Sequence, residues 1–140
     1  MITSVTNPKN LPVAVCLLLE DMSGRILAVS RKYNDKIFGL IGGKVDPGET
    51  TLEAVVRETL EESGLVVAPA QLALVYENVC LGEQSYWCLT YRFLGYGASG
   101  PLKNTEGTTL KWLKPKELLE ISCFADYNRA VFGACYIPCE

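Results

Sequence analysis

Apolar residues fall into short runs broken by polar and glycine-containing stretches, and the period of each run predicts its element. Val13 to Leu19 is a continuous apolar run of strand length. Glu20-Asp21-Met22-Ser23-Gly24 is turn chemistry, and Arg25 to Ser30 is again strand-like, which predicts a hairpin. Arg31 to Lys36 is polar and predicts a loop, after which Ile37 to Ile41 is apolar and runs into Gly42-Gly43. A second loop, Lys44 to Thr50, contains Pro47-Gly48. The period then changes to that of a helix over Thr51 to Ser63, with Thr50 or Thr51 as N-cap, Glu53 in the first turn and Gly64 as the stop.

Three further strand-like runs follow, Gln71 to Val79, Tyr86 to Leu94 and Leu110 to Leu113. Gly95 to Gly107 is rich in Gly, Ser and Asn and predicts a loop. Pro115 to Leu119 can start a short helix, with proline near its first position. Asp126 to Cys135 predicts a last helix. Strands outnumber helices and several are consecutive, so the expected class is α/β or α+β, built as a sandwich. No repeat, low-complexity segment or linker interrupts the chain, and one domain over residues 1–140 is expected.

Composition narrows the function classes. Hydrophobic residues make up 49% and charged residues 21%, as in a globular domain with a sizeable core. The net charge of −3 argues against binding duplex nucleic acid or an anionic membrane. It leaves room for a phosphate substrate, because a divalent cation supplies positive charge locally. The N-terminal ten residues are polar and Leu11 to Leu19 is too short to span a bilayer, so the expectation is a cytoplasmic protein. Six cysteines form no CxxC pair, and reduced thiols are expected. Histidine is absent, which rules out a Ser-His-Asp or Cys-His arrangement within this chain.

The chemistry concentrates on Thr51 to Ser63. At about 100° per residue, Leu52, Val55, Val56, Thr59 and Ser63 form the core face, while Glu58, Glu61 and Glu62 gather on another. Like charges three and four residues apart repel, by roughly 0.2–0.5 kcal/mol per pair. A divalent cation reverses that sign, and oxygen donors suit magnesium, or manganese in its place. An acidic helix face is ordinarily a solvated one. Here Gly42-Gly43 and Glu49 lie just before the helix, and a glycine-rich turn leading into a helix N-terminus suits phosphate. Arg57 can pair with Glu53 or Glu61 and so orient a metal-binding glutamate.

Read together, residues 43–65 resemble the Nudix hydrolase signature: Gly43, five residues, Glu49, seven residues, Arg57-Glu58, Thr59, Leu60, Glu61-Glu62, Ser63, Gly64 and Leu65. Every charged and glycine position matches. Thr59 departs from the pattern, standing where an aliphatic residue is usual. The resemblance implies a mixed sheet sandwiched between helices, with a loop-helix-loop catalytic motif. It implies hydrolysis of a phosphoanhydride bond in a nucleoside diphosphate-linked substrate with Mg2+ (Mn2+ as an alternative). Glu58, Glu61 and Glu62 would then carry the metal, with the Gly43 carbonyl as a further ligand. Glu49 would assist at the metal or through its waters, and Arg57 would hold Glu61 or a neighbour. Glu58 and Glu106, the latter in the polar loop before Leu110-Lys111-Trp112, are the candidates for general base. Trp112 followed by Pro115 and Glu117-Leu118 also resembles the C-terminal part of Nudix domains.

Among family substrates, the short chain leans toward nucleoside triphosphates, giving the monophosphate and pyrophosphate. ADP-ribose, a sugar nucleotide or a dinucleoside polyphosphate is the alternative, and an inactive nucleotide-binding module a second. Tyr33 and Phe38 are candidates to stack on a base, although the apolar run around Phe38 also suits the core. Phe124, Asp126 and Asn128 are candidates to read a base edge, and Lys44 to meet phosphates. A small nucleotide is the expected partner, and the chain is compatible with a monomer or a homodimer.

Overall fold

Alternation within the first strand sets the layers. The computed structural model describes residues 7, 9–97, 102 and 107–135. In β1 (Val13–Leu18), Val15 and Leu17 belong to one apolar cluster, while Leu18, with Cys16 packed beside it, belongs to the other. Successive strand residues point to opposite faces, so β1 is buried on both. Its partners are β2 (Ile26–Arg31), β3 (Asn34–Lys44), β4 (Leu72–Cys80), β5 (Tyr86–Phe93) and β6 (Leu110–Leu113), in the order β4-β5-β1-β3-β2-β6. Among the described strands β1 and β5 pair in parallel and the other pairs are antiparallel, so the sheet is mixed.

Helix α1 (Thr51–Ser63) covers one face through Ala54 and Val55, which pack with Val15, Leu17 and Leu89. Helices α2 (Pro115–Glu120) and α3 (Ala125–Cys135) cover the other through Leu118, Tyr127, Val131 and Phe132. The class is therefore α+β, with a mixed sheet between helices. No helix among the described residues is long and apolar enough to cross a membrane.

The sheet corrects two sequence expectations. The hairpin expected from Val13–Leu19 and Arg25–Ser30 exists only at its base, where Glu20 bridges Ile26 and the Leu27 N–H donates to the Leu19 carbonyl at 2.9 Å. Beyond that point the two strands part and β3 enters between them. One half of β3 pairs with β2, and the half from Ile41 to Lys44 pairs with β1. The polar stretch expected as a loop shrinks to a tight turn at Lys32-Tyr33, with Tyr33 at φ +61°. Asn34, Asp35 and Lys36 are strand residues whose polarity reports exposure, not irregular backbone.

The turn after β1 is built around Asp21, which is 4% exposed. Its carboxylate accepts from the Ser23 and Arg25 amides, the Ser23 hydroxyl and Arg25 Nε, each at 2.9 Å. Burial works to raise its pKa, but these hydrogen bonds and the Arg25 charge outweigh that and hold it below the usual value. Asp21→Asn is expected to lower stability at pH 7 by about 1–3 kcal/mol. For a carboxyl with a depressed folded pKa, the stabilisation is present above the unfolded value of about 3.9 and lost as pH falls through the folded one. The gap between wild type and variant in urea denaturation is therefore expected to be full at pH 7 and to shrink below about pH 4.

Candidate active site

Helix α1 is fixed at both ends. Thr50 accepts from the Glu53 amide at 3.1 Å and Glu53 accepts from the Thr50 amide at 2.8 Å, a capping box. Gly64, at φ +76°, ends the helix with its N–H on the Leu60 carbonyl. Thr59 is fully buried, and its hydroxyl donates to the Val55 carbonyl at 2.7 Å. The threonine in the aliphatic slot thus keeps the core face intact with its polar atom satisfied.

The opposite flank carries the glutamates. Glu62 reaches back to β3, where its Oε1 accepts from the Gly42 N–H at 2.9 Å. Burial pushes its carboxyl up to about 8 against that hydrogen bond, and the charges of Glu58 and Glu61 add to the rise. Burial also raises Glu58, although Arg57 opposes the shift. Glu61 is the most open, with its side chain 56% exposed. The mutual repulsion in these shifts shows that the carboxylates share one electrostatic space.

Gly42 and Gly43, at the end of β3, are required by close approach. A Cβ on Gly42 would stand 2.1 Å from the Val15 carbonyl oxygen, and one on Gly43 would stand 2.6 Å from the Glu58 carboxylate. The first obstacle is backbone and the second is the end of a flexible side chain. Gly42→Ala is therefore expected to destabilise the fold by about 1–3 kcal/mol or more, because the β1–β3 pairing has to open. Gly43→Ala is expected to displace Glu58 and lower activity at nearly unchanged melting temperature. Thermal melts beside turnover assays of the two variants check the contrast.

Arg57 organises the group. Its Nε and Nη2 bind Glu49 at 2.7 and 3.0 Å, and Nη1 binds Glu58 at 2.5 Å and Glu61 at 3.3 Å. Nη2 also donates to the Lys44 carbonyl at 3.0 Å, tying the helix to the end of β3. The expected Arg57–Glu53 pair does not form, because Glu53 is taken up by the capping box. Glu49, expected at the metal or its waters, has both oxygens hydrogen-bonded by Arg57 and the Asp46 amide. The hydrogen bonds from Arg57 hold its carboxyl down at about 2. Sequence spacing could not show this, because the loop folds Glu49 back over the helix.

The donor chemistry fits a hard divalent cation: three carboxylates on one flank beside a glycine whose missing side chain leaves room for Glu58. Among the described residues no three carboxylates converge as a ready-made cage. Arg57 and Gly42 hold them apart, which suits an ion that keeps waters and takes substrate oxygens.

A cavity of about 200 Å³ opens beside this cluster, walled by Gly42, Gly43 and Lys44 from β3, Tyr86 and Cys88 from β5, and Phe124, Tyr127 and Asn128 at α3. Lys44 Nζ lies 5.6 Å from the centre of the Tyr86 ring. Asn128 is 3% exposed, its amide nitrogen donating to Ser122 Oγ at 2.6 Å and to the Cys123 carbonyl at 3.3 Å. Of the residues expected to meet substrate, Lys44, Phe124 and Asn128 line this one cavity. Asp126 does not join them; it lines a neighbouring hollow and pairs with Arg129 at 3.2 Å. Phe38 is fully buried in the α2–α3 core and Tyr33 stands exposed in the β2–β3 turn, so neither borders the cavity. Glu106 lies outside the described residues. Tyr86, Tyr127 and the cavity cysteines escaped sequence reasoning, because strand order decides which strand faces α3.

Comparison with known proteins agrees with this geometry. The NUDIX domain matches residues 10–132. A Bacillus subtilis (strain 168) protein named "Putative 8-oxo-dGTP diphosphatase" is 37% identical over 98 residues, covering 69% of this chain and 62% of its own length. The chain thus spans less than two thirds of that relative. A MutT-like protein of Streptomyces ambofaciens is 33% identical over 117 residues, covering 82% of this chain and 71% of its own. A MutT protein from Methanosarcina mazei Go1 has the same fold, with a TM-score of 0.74 at 22% identity over 94% of this chain and 99% of the other. The match over nearly the whole described chain, on a loop and helix that together carry every charged position of the signature, makes this protein a member of the Nudix hydrolase family.

Proposed function

We propose that the chain hydrolyses a phosphoanhydride bond of a nucleoside triphosphate, releasing the monophosphate and pyrophosphate, with Mg2+ as cofactor. The observation that carries this reading is the apolar, aromatic-walled cavity lying directly against the Gly42–Gly43 edge that Glu58 and Glu62 approach. A nucleoside in the cavity would place its phosphates over the carboxylates. The name of the Bacillus relative points toward the same substrate class.

Glu58, Glu61 and Glu62 would hold the cation, with the Gly43 carbonyl as a further donor. Bound there, it would neutralise phosphate charge and lower the pKa of a coordinated water. The chain's own task is positioning, on which phosphoryl transfer mainly depends. Arg57 fixes the orientation of Glu58 and Glu61, and Gly42 fixes Glu62. Lys44, at the cavity rim, meets the phosphates. Phe124 stacks on the base, and Asn128, its amide nitrogen already engaged, turns its oxygen to a base edge. The proton of the attacking water passes to a carboxylate, Glu58 or Glu106, which the kcat of Glu58→Gln and Glu106→Gln distinguishes.

A panel of nucleotides with Mg2+ and product identification tests the substrate. The expected result is pyrophosphate release from one or more triphosphates. Rapid cleavage of ADP-ribose, sugar nucleotides or dinucleoside polyphosphates with no turnover of any triphosphate would overturn it. Asn128→Ala is expected to raise KM by about 5–150-fold, from one or two lost hydrogen bonds of about 1–3 kcal/mol, with a smaller change in kcat.

A further inference from the structure

Four wall residues of the cavity are cysteines: Cys16 from β1, Cys80 from β4, Cys88 from β5 and Cys123 just before α3. All four are free thiols. Two of them meet, with Cys16 Sγ and Cys88 Sγ 3.6 Å apart. The register explains how. Ala14 stands opposite Cys88 and Cys16 opposite Thr90, so the two cysteines share one sheet face, two residues out of step on adjacent strands.

That offset matters chemically. Parallel strands lie about 4.8 Å apart and rise about 3.3 Å per residue, so residues two out of step on neighbouring strands have Cα atoms roughly 8 Å apart. A disulfide needs them within about 7 Å unless the backbone moves. Neither strand can move freely, because β5 is paired with β4 and β1, and β1 with β5 and β3. The sulfurs are therefore brought to contact distance on a frame too wide for a direct S–S bond. A single larger atom bonded to both sulfurs meets the geometry, since each bond to it adds reach.

We propose that Cys16 and Cys88 form a dithiol clamp for a trivalent arsenical. Thiolate ligands select soft, thiophilic centres. The step is balanced without any oxidant. In an arsenic(III) oxide R–As=O, two As–S bonds form and the As–O bond breaks. The oxygen leaves as water carrying both thiol protons, and arsenic stays trivalent. The walls suit the organic group, with Leu40, Tyr86 and Phe124 bordering the same cavity. The hydrogen bond between them and then burial push the Cys16 thiol well up, while that same bond holds Cys88 below the usual thiol value, so Cys88 is the readier of the two to lose its proton to the incoming oxygen.

The test uses the full chain with Mg2+ and phenylarsine oxide as the probe. Intact mass should show one phenylarsenic per chain, and a native thiol count should fall by two. Alkylation mapping of the wild-type adduct should find Cys16 and Cys88 as the protected pair. The adduct should be removed by 1,2-ethanedithiol and survive an equal concentration of a monothiol. Cys16→Ala or Cys88→Ala should abolish it, while Cys80→Ala and Cys123→Ala should retain it. Protection of any other pair, an undiminished adduct on Cys16→Ala/Cys88→Ala, or no adduct at all would overturn the clamp. So would a Cys16–Cys88 disulfide after mild peroxide treatment, since the frame argument forbids it. Adduct formation is read without any activity assay. A fully loaded chain that still turns over nucleotides at the wild-type rate would therefore leave the clamp standing and refute the placement of the nucleoside in this cavity.

Discussion

Replacing Glu62 by glutamine is expected to lower kcat/KM by about 10²–10⁴-fold, the loss of several kcal/mol of charge stabilisation by a held cation. The substitution keeps shape and keeps an oxygen to accept from the Gly42 N–H, so position is conserved and charge alone is removed. Folding is not expected to suffer. Partial burial pushes the Glu62 carboxyl up to about 8, so in the metal-free chain the charged form is already disfavoured. A neutral amide removes that desolvation cost, and the melting temperature of the metal-free variant should equal or exceed that of wild type. The separation of the two readouts is what marks a residue kept for chemistry. A large fall in melting temperature together with unchanged turnover would place Glu62 among structural residues instead.

Arg57→Ala is the second large effect, and it should act through other groups. The guanidinium holds Glu49 through two nitrogens, and also holds Glu58, Glu61 and the Lys44 carbonyl. Its loss frees Glu58 and Glu61 to turn away and unties the signature loop from the helix. Residues that orient metal ligands typically cost about 10–100-fold in metal affinity or activity when removed, and that range is expected here. Arg57→Lys should recover little, because a lysine presents a point charge and cannot make the paired contact with Glu49. Because Arg57 acts by orientation, raising Mg2+ should restore part of the activity of Arg57→Ala. Full loss that no concentration of Mg2+ relieves would instead put Arg57 in direct contact with substrate.

The helix and its glutamates were legible because both are local. Thr50, Glu53 and Gly64 announce the ends of α1, and a period of 3.6 residues fixes which side chains share a flank. What escaped was set by partners far along the chain. The Val13–Leu19 run reads the same whether its neighbour is β2 or β3. Only the long reach of β3, which satisfies both strands, decides between them. The contact of Glu49 with Arg57 was not legible, because its spacing from Glu58 says nothing of the loop that folds it there. Phe38 and Tyr33 are close in sequence, yet one is core and the other solvent, a consequence of the tight Lys32-Tyr33 turn. The cavity itself rests on β5 lying beside β1 and facing α3, a non-local fact that no window of sequence holds.

Titration of Mn2+ into the metal-free chain, followed by the electron paramagnetic resonance signal of the free ion, bears most directly on the claim that these carboxylates gather a divalent cation. Wild type is expected to deplete the free-ion signal, more strongly when a non-hydrolysable nucleoside triphosphate is present. Glu58→Gln, Glu61→Gln and Glu62→Gln are each expected to weaken binding, and the triple variant to abolish it. An unchanged titration curve for the triple variant would contradict the claim, whatever nucleotide the chain turns over.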